Sequence, residues 1–300
     1  MIFFNAHIGR TAGLTLNYIL RRNFNNDFFQ IDSKIISKYF GKERVFPTTT
    51  PLNSYELKYI IDEYGRLPKS ISGHVISIPD GLETLKTLDV VKTITFLRNP
   101  IDRVISHYFA FRKKRLLEDE LPKHVKYDYR HDMKNFFRNY EYIESKFGTY
   151  HTIENHQTYF IDNGMDLDKA ISRLRNDFWF VGIVERFDEG LLILKDQFKQ
   201  LGLSFNIMYV RQQIAPRTKQ EKEQLVTSEI REKIKKMNKL DQQLYEEANQ
   251  IFEEKVKNYN GNIKADLQQF RRKLKVWRFY QQIVPGEIKR FSGYFRNINE

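Results

Sequence analysis

The first feature that could do chemistry is a short loop of small and polar residues, His7 to Thr15 (HIGRTAGLT). It lies between an apolar run, Met1 to Phe4, and an apolar stretch with helical spacing that begins at Leu14. A strand that turns through small residues into a helix leaves backbone N–H groups without internal partners, and such a point attracts phosphate or sulfate. The sequence therefore predicts an anion site at this loop.

The loop resembles a Walker A motif but departs from it in two respects. Three residues rather than four separate Gly9 from Gly13, and Leu14 stands where the phosphate-gripping Lys would be. An anion cradle without the Lys-Ser/Thr pair of ATP-hydrolysing proteins favours a different phosphate ester as the ligand.

A second candidate anion site follows residues 92–97 (KTITFL), whose alternating β-branched residues are typical of a strand. Arg98 comes directly after this strand. Asn99 is a suitable N-cap and Pro100 a favourable first residue for the helix that should follow.

Ser106 lies six residues after Pro100, which is roughly 9 Å along a helix. A long Arg98 side chain from the strand end and the Ser106 hydroxyl could therefore hold one phosphate between them. Arg103 lies on the same predicted helix face as Ser106 and could contribute to this site. Two strand-loop-helix segments, each with a candidate anion site, suit a ligand with two separated phosphate groups.

With both segments in view, the chain resembles the sulfotransferases that use 3′-phosphoadenosine 5′-phosphosulfate (PAPS). It is most similar to the carbohydrate branch, typified by heparan sulfate 2-O- and 6-O-sulfotransferases, and to their bacterial relatives. The family loop His-[Val/Ile]-Pro-Lys-Thr-[Gly/Ala]-[Gly/Ser]-Thr-Ser is matched at His7, Ile8, Thr11, Ala12 and Gly13. The family segment Leu-Arg-[Asp/Asn]-Pro-x-[Asp/Glu]-Arg-x-x-Ser-x-Tyr is matched by Leu97 to Tyr108 (LRNPIDRVISHY).

The resemblance implies PAPS as sulfate donor, no metal, and one binding segment for each end of the donor. The 3′-phosphate would be held by Arg98 and Ser106, with Arg217 near the nucleotide. The family has Lys where this chain has Arg10; a guanidinium keeps its proton, so Arg10 would act by neutralising charge on the departing diphosphate. The residues expected to hold the 5′-phosphosulfate are Arg10, Thr11, Ala12, Gly13, Leu14 and Thr15.

Transfer of a sulfuryl group to an acceptor hydroxyl also needs a base that takes the hydroxyl proton, and histidine suits that role near neutral pH. His74 is the candidate, because it follows a predicted strand and matches the Gly-His-Val segment whose His serves as base in the 2-O branch. His7 is expected to brace the loop. Asn155 and Gln157 are expected to bind the substrate. Four further histidines stay open as acceptor-side residues: His124, His131, His151 and His156.

The composition bounds the class of protein. Of 300 residues 41% are hydrophobic, including 24 Phe and 17 Tyr, which is enough for a substantial core. The absence of Cys excludes disulfides and thiolate chemistry. No signal-peptide pattern or long apolar run is present. Animal members of the family that the chain resembles are Golgi proteins with a membrane anchor, whereas this chain begins almost at its first strand. We therefore expect a bacterial cytoplasmic protein, with association at a membrane surface left open; a chain trimmed of such an anchor would begin in the same way.

The positive charge is concentrated near the end of the chain. The net charge is +12, and residues 257–300 hold ten Lys or Arg against three acids, more than half of that excess. Apolar residues recur there at helical spacing beside the basic ones, which predicts a basic amphipathic helix. It would either pack on the main domain or dock on a membrane surface, an anionic glycan or a partner helix.

Strands alternating with helices predict an α/β fold with a P-loop-NTPase-like parallel sheet flanked by helices. The expected strands are 2–6, 71–75, 93–97 and 180–184. The expected helices are 14–22, 54–64, 80–88, 101–116, 132–146, 151–161, 167–177, 188–200 and 219–258. We expect a sulfotransferase domain over 1–260 and the basic helical tail over 261–300.

The leading hypothesis is therefore a PAPS-dependent sulfotransferase with a carbohydrate acceptor and a histidine base. The alternatives are a nucleotide-binding kinase-like protein and a polyanion-binding protein without turnover. No nucleic-acid partner is expected. The acceptor itself stays open among capsular polysaccharide, lipid-linked glycan, small metabolite and protein tyrosine.

Overall fold

The computed structural model describes residues 1–41, 51–111, 133–138, 153–212 and 218–283. Within these ranges five strands form one parallel sheet in the order β2-β3-β1-β4-β5. The strands are β1 (Ile2–Ala6), β2 (Phe28–Gln30), β3 (Ser70–Gly73), β4 (Val91–Leu97) and β5 (Phe178–Ile183). The predicted fold class, a P-loop-like parallel sheet flanked by helices, is confirmed.

The helices of the described ranges alternate with the strands and then run on after β5. They are α1 (Gly13–Phe24), α2 (Ser33–Phe40), α3 (Ser54–Glu63), α4 (Ile78–Lys86), α5 (Pro100–Phe111), α6 (Met133–Arg138), α7 (His156–Asp162), α8 (Leu167–Asn176), α9 (Phe187–Gln200), α10 (Lys219–Leu225), α11 (Ser228–Met237), α12 (Lys239–Lys257) and α13 (Ile263–Ile283). The ends of three predicted helices, over 101–116, 132–146 and 151–161, lie partly outside the described residues.

One sequence prediction about elements is wrong, because the single helix predicted for 219–258 is three helices. The sequence pattern also does not reveal β2 and α2. The new helix starts inside 219–258 are at Ser228 and Lys239. Thr227 caps the first by accepting from the Ile230 N–H (3.3 Å), as Thr218 caps the predicted start by accepting from the Glu221 N–H (3.0 Å).

The central strand β1 is buried along its whole length, because strands on both sides and helices on the faces cover it. Its register places Phe4 between Ile71 of β3 and Thr93 of β4. Parallel strands bring their carboxyl ends to one edge, so the segments after β1, β3, β4 and β5 meet there. The amino end of β1 lies at the opposite edge, where the Met1 amine pairs with Asp89.

The helix α13 is not detached from the sheet. Phe270 and Leu274 are 6% and 3% exposed and belong to the core cluster formed around the sheet. The Trp277 ring lies 5.0 Å from the guanidinium carbon of Arg22 on α1. The apolar stripe of the predicted basic helix therefore packs on the main domain, which is the first of the alternatives considered for it. None of the helices in the described part of the chain combines the length and apolar character that a membrane span requires.

Candidate functional site

The loop after β1, the candidate anion cradle, has two residues in an unusual backbone conformation. Arg10 and Ala12 have φ values of 70° and 63°, in the left-handed region that non-glycine residues rarely adopt. The Thr11 hydroxyl donates to the Ile8 carbonyl at 2.9 Å and fixes the turn between them. Strained backbone held by a local side-chain bond is typical of a site that orients main-chain groups toward a ligand.

The first amides of α1 supply the donors of this cradle. The N–H groups of Thr15 and Leu16 both donate to the Ala12 carbonyl, at 2.9 and 3.1 Å. The N–H groups of Ala12, Gly13 and Leu14 donate to no other residue within the described ranges. Three adjacent N–H groups at a helix N-terminus, on the wall of a cavity, fit a phosphate or sulfate group.

His7 forms the floor of the cradle. A methyl group placed on Gly13 would lie 1.8 Å from Cδ2 of His7, so the imidazole packs directly on that glycine. Burial, and after it the nearby His74 and Arg10, lowers the pKa of His7 to about 3. His7 is therefore a neutral packing residue at physiological pH, in keeping with the brace expected of it.

The second anion segment lies beside the first. The Asn99 side chain accepts from the N–H groups of Ile101 (3.1 Å) and Asp102 (3.3 Å) and caps α5, as predicted. The Arg98 guanidinium donates to the Arg10 carbonyl at 3.2 Å.

Arg10 connects the two segments through its own guanidinium. Its Nε and Nη2 atoms lie 3.3 and 3.2 Å from the Ser106 hydroxyl oxygen. The loop after β1, the end of β4 and the second turn of α5 therefore present their polar groups to one place. Arg10, Arg98 and Ser106, three residues that the sequence assigned to opposite ends of one ligand, are brought together.

Arg103 does not join this site, and the expectation that it would is wrong. Its side chain is fully buried, close to the carboxylate of Asp241. Burial raises the pKa of Asp241, while Arg103 and the N–H groups of Gln157 and Thr158 act in the opposite direction. These contacts tie α5 to α7 and α12, so Arg103 holds the helix that carries Ser106.

Asn155 and Gln157, expected to bind substrate, make contacts within the protein. The Gln157 side chain is fully buried; it accepts from the Arg98 N–H and donates to the Arg98 carbonyl, both at 2.9 Å. The Asn155 side chain accepts from the N–H groups of Leu240 (3.0 Å) and Asp241 (3.3 Å) at the start of α12. In this geometry Gln157 acts on a ligand through the placement of Arg98.

His74 comes directly after β3, which ends at Gly73 and not at the expected residue 75, and its side chain is exposed. Its ring centroid is 5.8 Å from that of His7, in an edge-on arrangement. His156 begins α7 and its Nε2 atom would lie 3.4 Å from a methyl group placed on Gly9. His74 therefore lies near His7 and His156 near Gly9, at the first part of the loop. Arg217, His124, His131 and His151 lie outside the described residues.

The polar groups line a cavity of about 530 Å³ at the carboxyl edge of the sheet. Residues after β5 and from α13, which sequence reasoning missed, form its far side. They include Glu185, Asp188, Tyr209, Arg211, Gln212 and Arg271. Glu185 accepts from the Asn99 N–H (3.1 Å) and from the Tyr245 hydroxyl (3.0 Å), which joins the β4 and β5 ends. Within the described ranges no cluster of His, Asp and Glu has the arrangement of a metal site.

Comparison with known proteins identifies the family of the chain. A search of curated proteins finds no match to the chain. A family model described as the sulfotransferase family matches residues 3–246, which contain the loop after β1, Arg98 and Ser106. The match covers well over half of the 300 residues, and the chain belongs to the sulfotransferase family.

Proposed function

We propose that this protein uses PAPS as its donor and transfers a sulfuryl group to a hydroxyl of a carbohydrate acceptor. The observation that supports this most is the joining of two anion-binding segments by Arg10, which contacts Ser106 through its side chain and Arg98 through its carbonyl. A ligand with phosphate groups at its 3′ and 5′ positions would need two such segments side by side.

The donor, when bound, supplies a sulfuryl group attached to its 5′-phosphate. The amides of Ala12, Gly13 and Leu14 would hold the 5′ end, with the Arg10 guanidinium beside them. Arg98 and Ser106 would hold the 3′-phosphate. Because Arg10 keeps its proton throughout, its part in the reaction is to stabilise negative charge as the 3′,5′-diphosphate leaves.

The acceptor hydroxyl needs a group that takes its proton, and we assign this role to His74. Its imidazole is exposed and lies beside His7, which is part of the cavity wall. Since His7 stays neutral, a proton taken up by His74 would meet no second imidazolium at that contact.

Calorimetric titration with 3′-phosphoadenosine 5′-phosphate (PAP) tests donor recognition. We expect the unmutated protein to bind PAP and not to turn over ATP. Arg98→Ala should weaken PAP binding by about tenfold to a hundredfold, the usual range for a hydrogen bond to a charged group. An unmutated protein that fails to bind PAP would contradict the proposed donor.

The acceptor and the base are tested together by mass spectrometry of glycans from cells with and without the protein. Sulfated glycans should be found only with the active protein. Cells carrying His74→Ala should lack them, although this variant should bind PAP as tightly as the unmutated protein. Sulfated glycans at undiminished levels with His74→Ala would remove His74 from the base role.

A further inference from the structure

The helix α13 lies beyond the part of the chain that the family model covers, yet it forms part of the cavity wall. The family match ends at residue 246, whereas α13 begins at Ile263 and places Arg271 on the cavity. Phe270 and Leu274, on either side of Arg271 in sequence, are buried in the core. The backbone that carries Arg271 is therefore fixed to the main domain.

The side chain of Arg271 is also oriented. Its Nε atom donates to Asp188 Oδ2 at 3.0 Å, and the other oxygen of Asp188 accepts from the Tyr209 hydroxyl at 2.7 Å. Burial, with Asp188 as a second cause, raises the pKa of Tyr209, so the phenol stays a donor to that carboxylate. Asp188 is thus held at both oxygens and fixes the direction of the guanidinium.

The two terminal nitrogens of the Arg271 guanidinium are available to a ligand. Within the described ranges its two terminal nitrogens donate to no other residue, and 60% of the side chain is exposed. An arginine held through Nε presents its terminal nitrogens as a pair, which is the geometry that suits phosphate oxygens.

The position of Arg271 along the sheet edge indicates which phosphate group of the donor it would bind. The cradle follows β1, Arg98 follows β4, and Asp188 follows β5, which are neighbours in that order. Neighbouring strands are about 4.8 Å apart, so the β5 side lies roughly 10 Å from the cradle. A 5′-phosphate in the cradle leaves the 3′-phosphate as the remaining anionic group of the nucleotide.

We propose that Arg271, positioned by Asp188, binds the 3′-phosphate of the donor together with Arg98, and that α13 is part of the donor pocket. This inference rests on the proposed use of PAPS. It makes the basic helix a recognition element for the phosphate that distinguishes PAP from adenosine 5′-phosphate.

Calorimetry of four proteins with two nucleotides tests the proposal: the unmutated chain, Arg271→Ala, Arg271→Lys and the control Arg272→Ala. Arg272 is exposed, carries the same charge and does not line the cavity. We expect Arg271→Ala to weaken PAP binding about tenfold, or about 1.4 kcal/mol, and to leave the affinity for adenosine 5′-phosphate unchanged. Arg271→Lys should restore only part of the loss, because it keeps the charge without the fork.

Two results would overturn the inference while leaving the proposed function standing. One is PAP binding by Arg271→Ala that equals that of Arg272→Ala. The other is an equal loss of affinity for both nucleotides, which would place Arg271 away from the 3′-phosphate. If the unmutated chain bound no PAP at all, the proposed donor and this inference would both fail. Equal thermal unfolding midpoints for the variants would show that altered folding does not account for the differences.

Discussion

The packing of His7 on Gly13 leads to a prediction about the cradle. A methyl group at position 13 would lie 1.8, 2.2 and 2.4 Å from three atoms of the imidazole, whereas ordinary contacts begin at 3.4 Å. The ring must therefore move by more than 1 Å, within a site where it is only 9% exposed. Such overpacking costs about 1–3 kcal/mol, so Gly13→Ala should lower the free energy of unfolding by that amount.

The same reasoning predicts that His7→Ala makes room for the methyl group. In that background Gly13→Ala should be neutral or stabilising by up to about 1 kcal/mol, because alanine is the better helix former. The double-mutant cycle, measured by urea unfolding, should give a coupling energy of about 1–4 kcal/mol. PAP titration of the same proteins should show weaker binding for Gly13→Ala alone. Equal costs of Gly13→Ala in both backgrounds would refute the packing argument.

Three further predictions concern the residues that hold the site. Gln157→Leu removes two buried hydrogen bonds to Arg98 and should lower the free energy of unfolding, measured by urea titration, by roughly 2–4 kcal/mol. The control Gln242→Leu removes an exposed hydrogen bond to the Lys235 carbonyl and should lower it by less than about 1 kcal/mol. The free energy of unfolding should fall as the pH falls from about 6.5 toward about 3. In this range His7 binds a proton in the unfolded chain but stays neutral in the folded chain. The slope from this residue is at most about 1.4 kcal/mol per pH unit, and it should be missing in His7→Ala; an unchanged slope there would count against a neutral buried imidazole. Phe270→Ala should destabilise the protein by about 3–5 kcal/mol, and Phe279→Ala, at an exposed position of the same helix, by less than about 0.5 kcal/mol; similar effects at both positions would mean that α13 does not share the core.

The strands illustrate what a local pattern can predict. β1, β3, β4 and β5 each carry an apolar run or alternation that is visible in the sequence. β2 has only three residues, Phe28–Gln30, too few to show a period, and it is a strand because β3 offers it an edge to pair with. The continuous apolar spacing over 219–258 conceals the helix starts at Ser228 and Lys239; Thr227 caps the first, whereas the second has no side-chain cap.

The site divides in the same way. Arg98 and Ser106 lie in one local motif, whose spacing predicts that they face one ligand. Arg10 lies in the other motif, and its place at the same donor is implied by the family resemblance. Gln157 bonds to a residue 59 positions away and Asn155 to one 85 positions away, so helix polarity could not reveal their partners.

The far side of the cavity could not be predicted from motifs. Asp188, Tyr209 and Arg271 come from three separate segments and converge only because α9 and α13 pack together. One signal was present, the basic residues beside the apolar stripe of the last helix, but a charged helix flank does not indicate which of its arginines reaches a cavity.

The orientation of β1 has a practical consequence. The strand starts at Ile2 and delivers its cradle at the other end, five residues or about 17 Å away. A purification tag or surface tether fused ahead of residue 1 would therefore lie at the edge of the sheet opposite the cavity. Such a fusion would directly affect the exposed ion pair between the Met1 amine and Asp89, and exposed ion pairs contribute little to the free energy of folding. Immobilising the protein through its amino end should leave nucleotide access from bulk solution unobstructed.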